Sequence, residues 1–183
     1  RHEAYSYIGA RMSKSNWLLQ RPSLSMVRLA AQLAWEGHLP SVKDMTLVDM
    51  DLSNIQQNRL GKLTSVVTDS VVIDNITPAS LLDIILESVR CSWLYMNNMK
   101  LTEPQTRALV TALTERLERV VLYEGIILDI QTLCQYNGRG TCWWLRVEGD
   151  TRERYEETLQ QWRAEVNWVV REYFLGGLIV ERK

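Results

Sequence analysis

Five short apolar patterns recur along the chain, at Met45-Thr46-Leu47, Val71-Val72-Ile73, Leu94-Tyr95-Met96, Val120-Val121-Leu122 and Trp143-Trp144-Leu145. From 45 to 71 is 26 positions, from 71 to 94 is 23, from 94 to 120 is 26 and from 120 to 143 is 23. Every second pattern therefore falls 49 positions on. Each pattern is short and rich in β-branched or large apolar residues, as a buried strand requires. A fixed period of this size marks a solenoid, in which each unit buries its apolar side against the next.

The intervening segments carry helical spacing, so each repeat reads as strand, loop, helix and return loop. The segment 102–118 is the clearest. Thr102 caps it, Pro104 suits its first turn, Gln105 completes a Thr-x-x-Gln box, and Leu109, Val110, Leu113 and Leu117 form one apolar stripe. Residues 79–90 repeat the pattern with Leu81, Leu82, Ile85 and Leu86, and 56–67 do so with Leu60, Leu63 and Val66. A shorter helix over 127–136 ends at the turn signal Asn137-Gly138-Arg139-Gly140. Arg152 to Val166 places Tyr155, Leu159, Trp162 and Val166 on helical spacing, which predicts a last helix on the convex side.

The ends differ from the middle. Trp168 to Leu175, Gly176-Gly177 and Leu178 to Val180 predict a β-hairpin with a Gly-Gly turn, spanning 167–183 and covering the open end of the stack. Leu24 to Trp35 is a strong helical stretch with Met26, Leu29 and Leu33. Before it, over Arg1 to Arg21, Tyr5, Ile8, Met12 and Leu18 or Leu19 suggest a further helix. Residues 1–23 are either an N-terminal cap helix or the remnant of a preceding domain, and 24–166 form the solenoid. The first residue is Arg1 rather than Met, which leads us to expect a fragment or a processed form.

Laid over one another, the strand regions read Met45-x-Leu47-x-x-Met50-x-Leu52, Val71-x-Ile73-x-x-Ile76, Leu94-x-Met96-x-x-Met99-x-Leu101 and Val120-x-Leu122. This resembles the leucine-rich repeat, L-x-L-x-x-N-x-L, in the helical form of ribonuclease-inhibitor-like proteins and of the sensing domains of NACHT-type innate immune receptors. The resemblance covers roughly residues 24–166 and rests on pattern. There is one departure. The position where that family carries Asn or Cys holds Met50, Ile76, Met99 and Gly125, while polar residues fall one place earlier at Asp49, Asn75, Asn98 and Glu124. The resemblance implies an α/β fold: a short leucine-rich-repeat-like solenoid with parallel strands, convex-side helices and a C-terminal hairpin cap. A compact βα fold of another kind is the alternative.

In stacked parallel strands, alternate residues leave the core and face the concave side. One outward column is then Thr46, Val72, Tyr95, Val121 and Trp144, and the next is Val48, Asp74, Asn97, Tyr123 and Arg146. Tyr, Trp and Arg anchor interfaces because they combine large contact area with a polar tip. The candidate ligand-binding residues are therefore Tyr95, Asn97, Val121, Tyr123, Trp144 and Arg146. The competing reading is that the hairpin or the N-terminal helix folds over these aromatics and makes them ordinary core, since seven Trp need burial somewhere. The column Asp49, Asn75, Asn98 and Glu124 could hold a cation or bond a partner, but such residues more often satisfy turn backbone.

Composition narrows the function classes. With 46% hydrophobic and 23% charged residues, the chain is that of a folded globular protein. A net charge of -1 provides no basic footprint for a phosphate backbone, which argues against nucleic acid. Charges interrupt every apolar stretch well before the roughly 20 residues a membrane span needs. Cys91, Cys134 and Cys142 form no C-x-x-C pair, so no zinc site is expected, and a reduced, cytoplasmic setting is favoured. Asn75-Ile76-Thr77 fits the glycosylation sequon and keeps an extracellular setting open.

The patterns of phosphate-binding loops, zinc proteases and nucleophile elbows are missing, and only His2 and His38 supply imidazole. Gly138-Arg139-Gly140 reads as a turn, and Arg152-Glu153-Arg154 with Glu156-Glu157 reads as a solvated helix face. Cys134 and Cys142 read as buried small side chains ahead of a disulfide or redox chemistry. The expectation is a non-enzymatic recognition domain without metal or cofactor, binding a protein or microbial ligand on its concave face. The resemblance adds the role of sensing part in an innate immune receptor. The alternative is an intracellular scaffold or self-association module of a larger protein.

Overall fold

A computed structural model of the chain describes residues 18–99, 101–117, 119–122, 144–147, 168–173 and 177–182. The chain divides into two compact units, residues 1–92 and 93–183. Both are α/β, with parallel strands.

In the first unit, strand and helix alternate three times: β1 (Leu18–Gln20), α1 (Leu24–Trp35), β2 (Val42–Val48), α2 (Gln57–Ser65), β3 (Val67–Asp74) and α3 (Leu81–Ser88). The strands run parallel in the order β1-β2-β3, with Leu19 opposite Met45 and Met45 opposite Val71. Leu47 faces Ile73 two places on. Met45, Leu47, Val71 and Ile73 are all fully buried, so one face of the pair β2-β3 is continuous core. The same core takes Val27, Ala30, Leu33 and Ala34 of α1, Leu60 and Leu63 of α2, and Leu82, Ile85 and Leu86 of α3. Full burial of each leucine is worth about 1.5–3 kcal/mol, so truncating Leu60 or Leu63 to Ala costs about 2–5 kcal/mol once the cavity is included.

Local chemistry sets the helix ends. Ser23 caps α1 by accepting from the Met26 N–H at 3.2 Å. At the other end the Gly37 N–H donates to Ala34 O at 3.1 Å and the His38 N–H to Leu33 O at 2.8 Å. This double closure needs a left-handed residue, and Gly37 supplies it at φ 76. Helices α2 and α3 approach closely at Gly61, where a Cβ would lie 3.0 Å from Ile84 Cγ2. The buried Thr64 hydroxyl bridges them by a hydrogen bond with Ser88. Thr64 also lies 2.9 Å from Gly61 O and Ser88 lies 2.6 Å from Ile84 O. A hydroxyl carries one proton, so at any moment one of the two donates to a carbonyl and the other donates to its partner.

The second unit contains β4 (Trp93–Asn97), α4 (Glu103–Glu115), β5 (Arg119–Leu122), β6 (Trp144–Val147), β7 (Trp168–Tyr173) and β8 (Gly177–Arg182). Strands β4, β5 and β6 are parallel, β8 pairs antiparallel with β6, and β7 pairs antiparallel with β8. The capping box that opens α4 is complete. The Gln105 N–H donates to Thr102 Oγ1 at 3.3 Å and the Thr102 N–H to Gln105 Oε1 at 3.0 Å. Leu109, Ala112 and Leu117 are fully buried, as are Leu94, Met96 and Val120 of the strands.

The structure corrects three sequence readings. Leu18 and Leu19, taken with Arg1–Arg21 as helical, lie in a parallel strand, because 26 positions separate Leu19 from Met45 just as they separate Met45 from Val71. The last parallel strand is set two residues further on than its apolar pattern suggested. Val120 pairs with Leu145, not Trp143, so the step is 25 positions rather than 23. Strand periodicity cannot detect a slip of two, since it returns every residue to the same face. In the C-terminal antiparallel pair, Tyr173 faces Gly177, so Gly177 belongs to β8 and not to the turn. The rest of the helix expected over Arg1–Arg21 and the helices expected over 127–136 and 152–166 lie outside the described residues. Among the described residues, no helix is long and apolar enough to cross a membrane.

Candidate functional site

The face that leaves the core is built by strict alternation. Along β4, Leu94 and Met96 are buried, while Trp93, Tyr95 and Asn97 are half-buried. The Trp93 and Tyr95 rings, two residues apart on that face, have centroids 6.0 Å apart and are tilted by 38°. The rings are tilted, neither stacked nor perpendicular, and lie within the contact range of aromatic pairs while both stay half-buried.

Strand pairing extends this face into rows. Tyr95 is in register with Val121, and Val121 with Arg146. Trp93 is in register with Arg119, and Arg119 with Trp144. Of the predicted site residues, the backbone therefore brings Tyr95, Val121 and Arg146 into one row. Trp144 falls in the neighbouring row, a consequence of the two-residue correction above. Asn97 ends β4 on the same face. Tyr123 lies outside the described residues. Trp93 and Arg119 were missed. The available signal was the strand period itself, which runs one step back from Tyr95 to Trp93 and from Val121 to Arg119.

The first unit carries the corresponding outward columns. Thr46 pairs with Val72 and Val48 with Asp74, all half-buried as the alternation predicts. One rung earlier Ser70 Oγ donates to Asp44 Oδ1 at 2.7 Å. Among the described residues of these strands there is neither an aromatic ring nor an arginine.

The polar column has a backbone cause. Asp49, Asn75 and Asn98 adopt φ of 50, 50 and 52, the left-handed region. Asn and Asp tolerate that region better than other non-glycine residues because their short side chains bond locally. The chain leaves each strand through this residue and then returns to parallel pairing. The Thr77 N–H donates to Met50 O at 2.9 Å and the Leu52 N–H to Thr77 O at 2.8 Å. The next position is apolar, buried at Ile76 and Met99 (2% and 4% exposed) and half-buried at Met50. These polar residues therefore shape turns, and among the described residues no group of three or more His, Cys, Asp or Glu could hold a metal. Glu124 lies outside the described residues.

Of the remaining chemical candidates, His38 and Cys91 lie among the described residues. His38 is exposed beside Glu36, with Nε2 at 3.9 Å from Oε2, and its backbone closes α1. Cys91 is fully buried. His2, Cys134, Cys142 and Gly138-Arg139-Gly140 lie outside the described residues. No family model matches the chain, and no curated protein or solved structure matches it at a significant level.

Proposed function

We propose that the chain is a non-enzymatic recognition domain. Each unit is a stretch of helical leucine-rich-repeat-like solenoid, with the β7-β8 pair as the terminal cap of the second. A protein or microbial ligand binds the sheet face that carries Tyr95, Asn97, Val121, Trp144 and Arg146. The observation that carries this reading is the alternation along β4, which holds Trp93 and Tyr95 half-buried in rows that continue to Arg119, Trp144, Val121 and Arg146. Aromatic rings braced by a neighbour and interleaved with arginine form the composition that concentrates binding energy in interfaces. A role as the sensing part of an innate immune receptor follows from the leucine-rich resemblance.

Selection of ligands from a displayed peptide library against the whole chain tests this reading. Selected ligands should lose about tenfold or more in affinity on Tyr95→Ala, the magnitude of a modest hot spot. Thr46→Ala in the first unit should leave them unchanged. Ligands indifferent to Tyr95→Ala would refute the assignment of the face.

A further inference from the structure

The rows of backbone register that begin at Trp93 and Tyr95 continue past β6 into the antiparallel pair. One row is Trp93, Arg119, Trp144, Glu181 and Val169, and the next is Tyr95, Val121, Arg146, Ile179 and Arg171. These two rows hold three arginines against one glutamate, in a chain whose net charge is -1. We infer that the partner of this face is an acidic polypeptide segment, bound as a polyproline-II helix across the strands, with carboxylates three residues apart. This inference rests on the recognition reading given above and specifies its partner.

Three arguments lead to it. First, every cation in these rows is arginine. Its planar guanidinium pairs with a carboxylate through two parallel hydrogen bonds, whereas lysine acts as a point charge. Second, apart from Glu181 the remaining positions of the two rows are aromatic or aliphatic, which suits a segment whose acidic residues alternate with uncharged ones rather than a polyanion with a charge on every unit. Third, the spacing fits. Arg146 and Arg171 are two strands apart in one row, about 10 Å at the usual separation of about 4.8 Å between strands. Three residues of polyproline-II helix rise about the same distance, at about 3.1 Å each, and its three residues per turn return both carboxylates to one side.

Fluorescence anisotropy on the whole chain tests this with a labelled peptide of four Glu-Ser-Tyr repeats, its Gln-Ser-Tyr counterpart and a single-stranded oligothymidylate. The expected result is binding of the glutamate peptide, at least about tenfold weaker binding of the glutamine peptide and weaker binding of the oligonucleotide. Arg146→Ala and Arg171→Ala should each weaken the glutamate peptide about tenfold, while Arg146→Lys should fall between Arg146→Ala and wild type. Circular dichroism of each variant separates loss of the site from loss of the fold, and Arg28→Ala on the exposed side of α1 should change nothing. Equal binding of the two peptides, tighter binding of the oligonucleotide, or no binding of the glutamate peptide would overturn the inference. Library ligands that depend on Tyr95 but carry no excess of Asp and Glu would refute the acidic partner alone. Library ligands indifferent to Tyr95 would refute the face as well.

Discussion

The side-chain amide of Asn75 donates to Asp49 Oδ1 at 2.8 Å, joining two residues 26 positions apart at the same step beyond their strands. Both sit in the left-handed region at φ 50. The pair combines two roles: each residue type is chosen for a backbone turn, and the side chains then link one turn to the next. Replacing Asn75 with Ala forces a β-carbon-bearing residue without a local bond into that region, at a cost of about 1 kcal/mol. Asn75→Gly should cost less, since only the exposed hydrogen bond is lost. A cycle of Asp49→Gly and Asn75→Gly, followed by urea midpoints, should show a coupling of about 0.5 kcal/mol. Equal losses for Asn75→Ala and Asn75→Gly would show that the backbone conformation contributes nothing.

Gly37 offers a purely conformational test. A Cβ at this position would meet nothing within 4 Å, yet φ is 76. Gly37→Ala should lower stability by about 1 kcal/mol, and Gly37→Asn by less, because Asn is the next most tolerant residue at a helix C-terminus. Chemical denaturation of the three proteins ranks them.

Gly61 tests space rather than dihedral freedom. An added methyl would lie 3.0 Å from Ile84 Cγ2, and a β-branched side chain in a helix is held to one main rotamer. The neighbour can yield only by shifting α3. We expect Gly61→Ala to lower stability by about 1 kcal/mol, despite the gain of about 1 kcal/mol in helix propensity. Gly61→Ala combined with Ile84→Ala should recover part of that gain, which thermal unfolding would reveal.

Asp51 gives a pH prediction. Hydrogen bonds from the Ser53 hydroxyl and then from the Ser53 backbone N–H hold its carboxyl below the ordinary value of 3.8. The backbone bond is 3.0 Å long. A depressed acid stabilises the fold fully above its unfolded value and loses that contribution as pH falls through the folded one. The window therefore lies below about pH 4. Carboxyl NMR titration should place Asp51 below 3.8, and Ser53→Ala should raise it part of the way back. A titration midpoint unmoved by Ser53→Ala would contradict the assigned cause.

The βα alternation was legible because apolar periodicity and capping chemistry agree in each repeat. The Thr102-Gln105 box and the leucine pairs of α2 and α3 appear where the spacing put them. What escaped was of two kinds. The strand at Leu18–Gln20 is three residues long, too short for period two to outweigh the helical pattern ahead of it. The register of β6 was hidden because Trp143 and Leu145 share one parity, so the apolar pattern fits either placement. The polar column was visible, yet its cause was a backbone angle, which residue type suggests but does not reveal. Alternation alone put Tyr95, Val121 and Arg146 on one face, but the expected register set Arg146 one row away, beside Asn97 and Tyr123, and the strand period was not followed back to Trp93 and Arg119.

The central claim is that the second unit presents its aromatic and arginine rows to solvent for a partner. Hydroxyl-radical footprinting of the whole chain, with its mass checked by sedimentation in the same buffer, tests this most directly. The account predicts a monomer in which Trp93, Tyr95 and Trp144 are oxidised readily while Met45, which is fully buried in the first unit, is protected. Protection of Trp93, Tyr95 and Trp144 to the level of Met45 would contradict it, assigning these rings to the core in a monomer or to a self-association interface in a dimer.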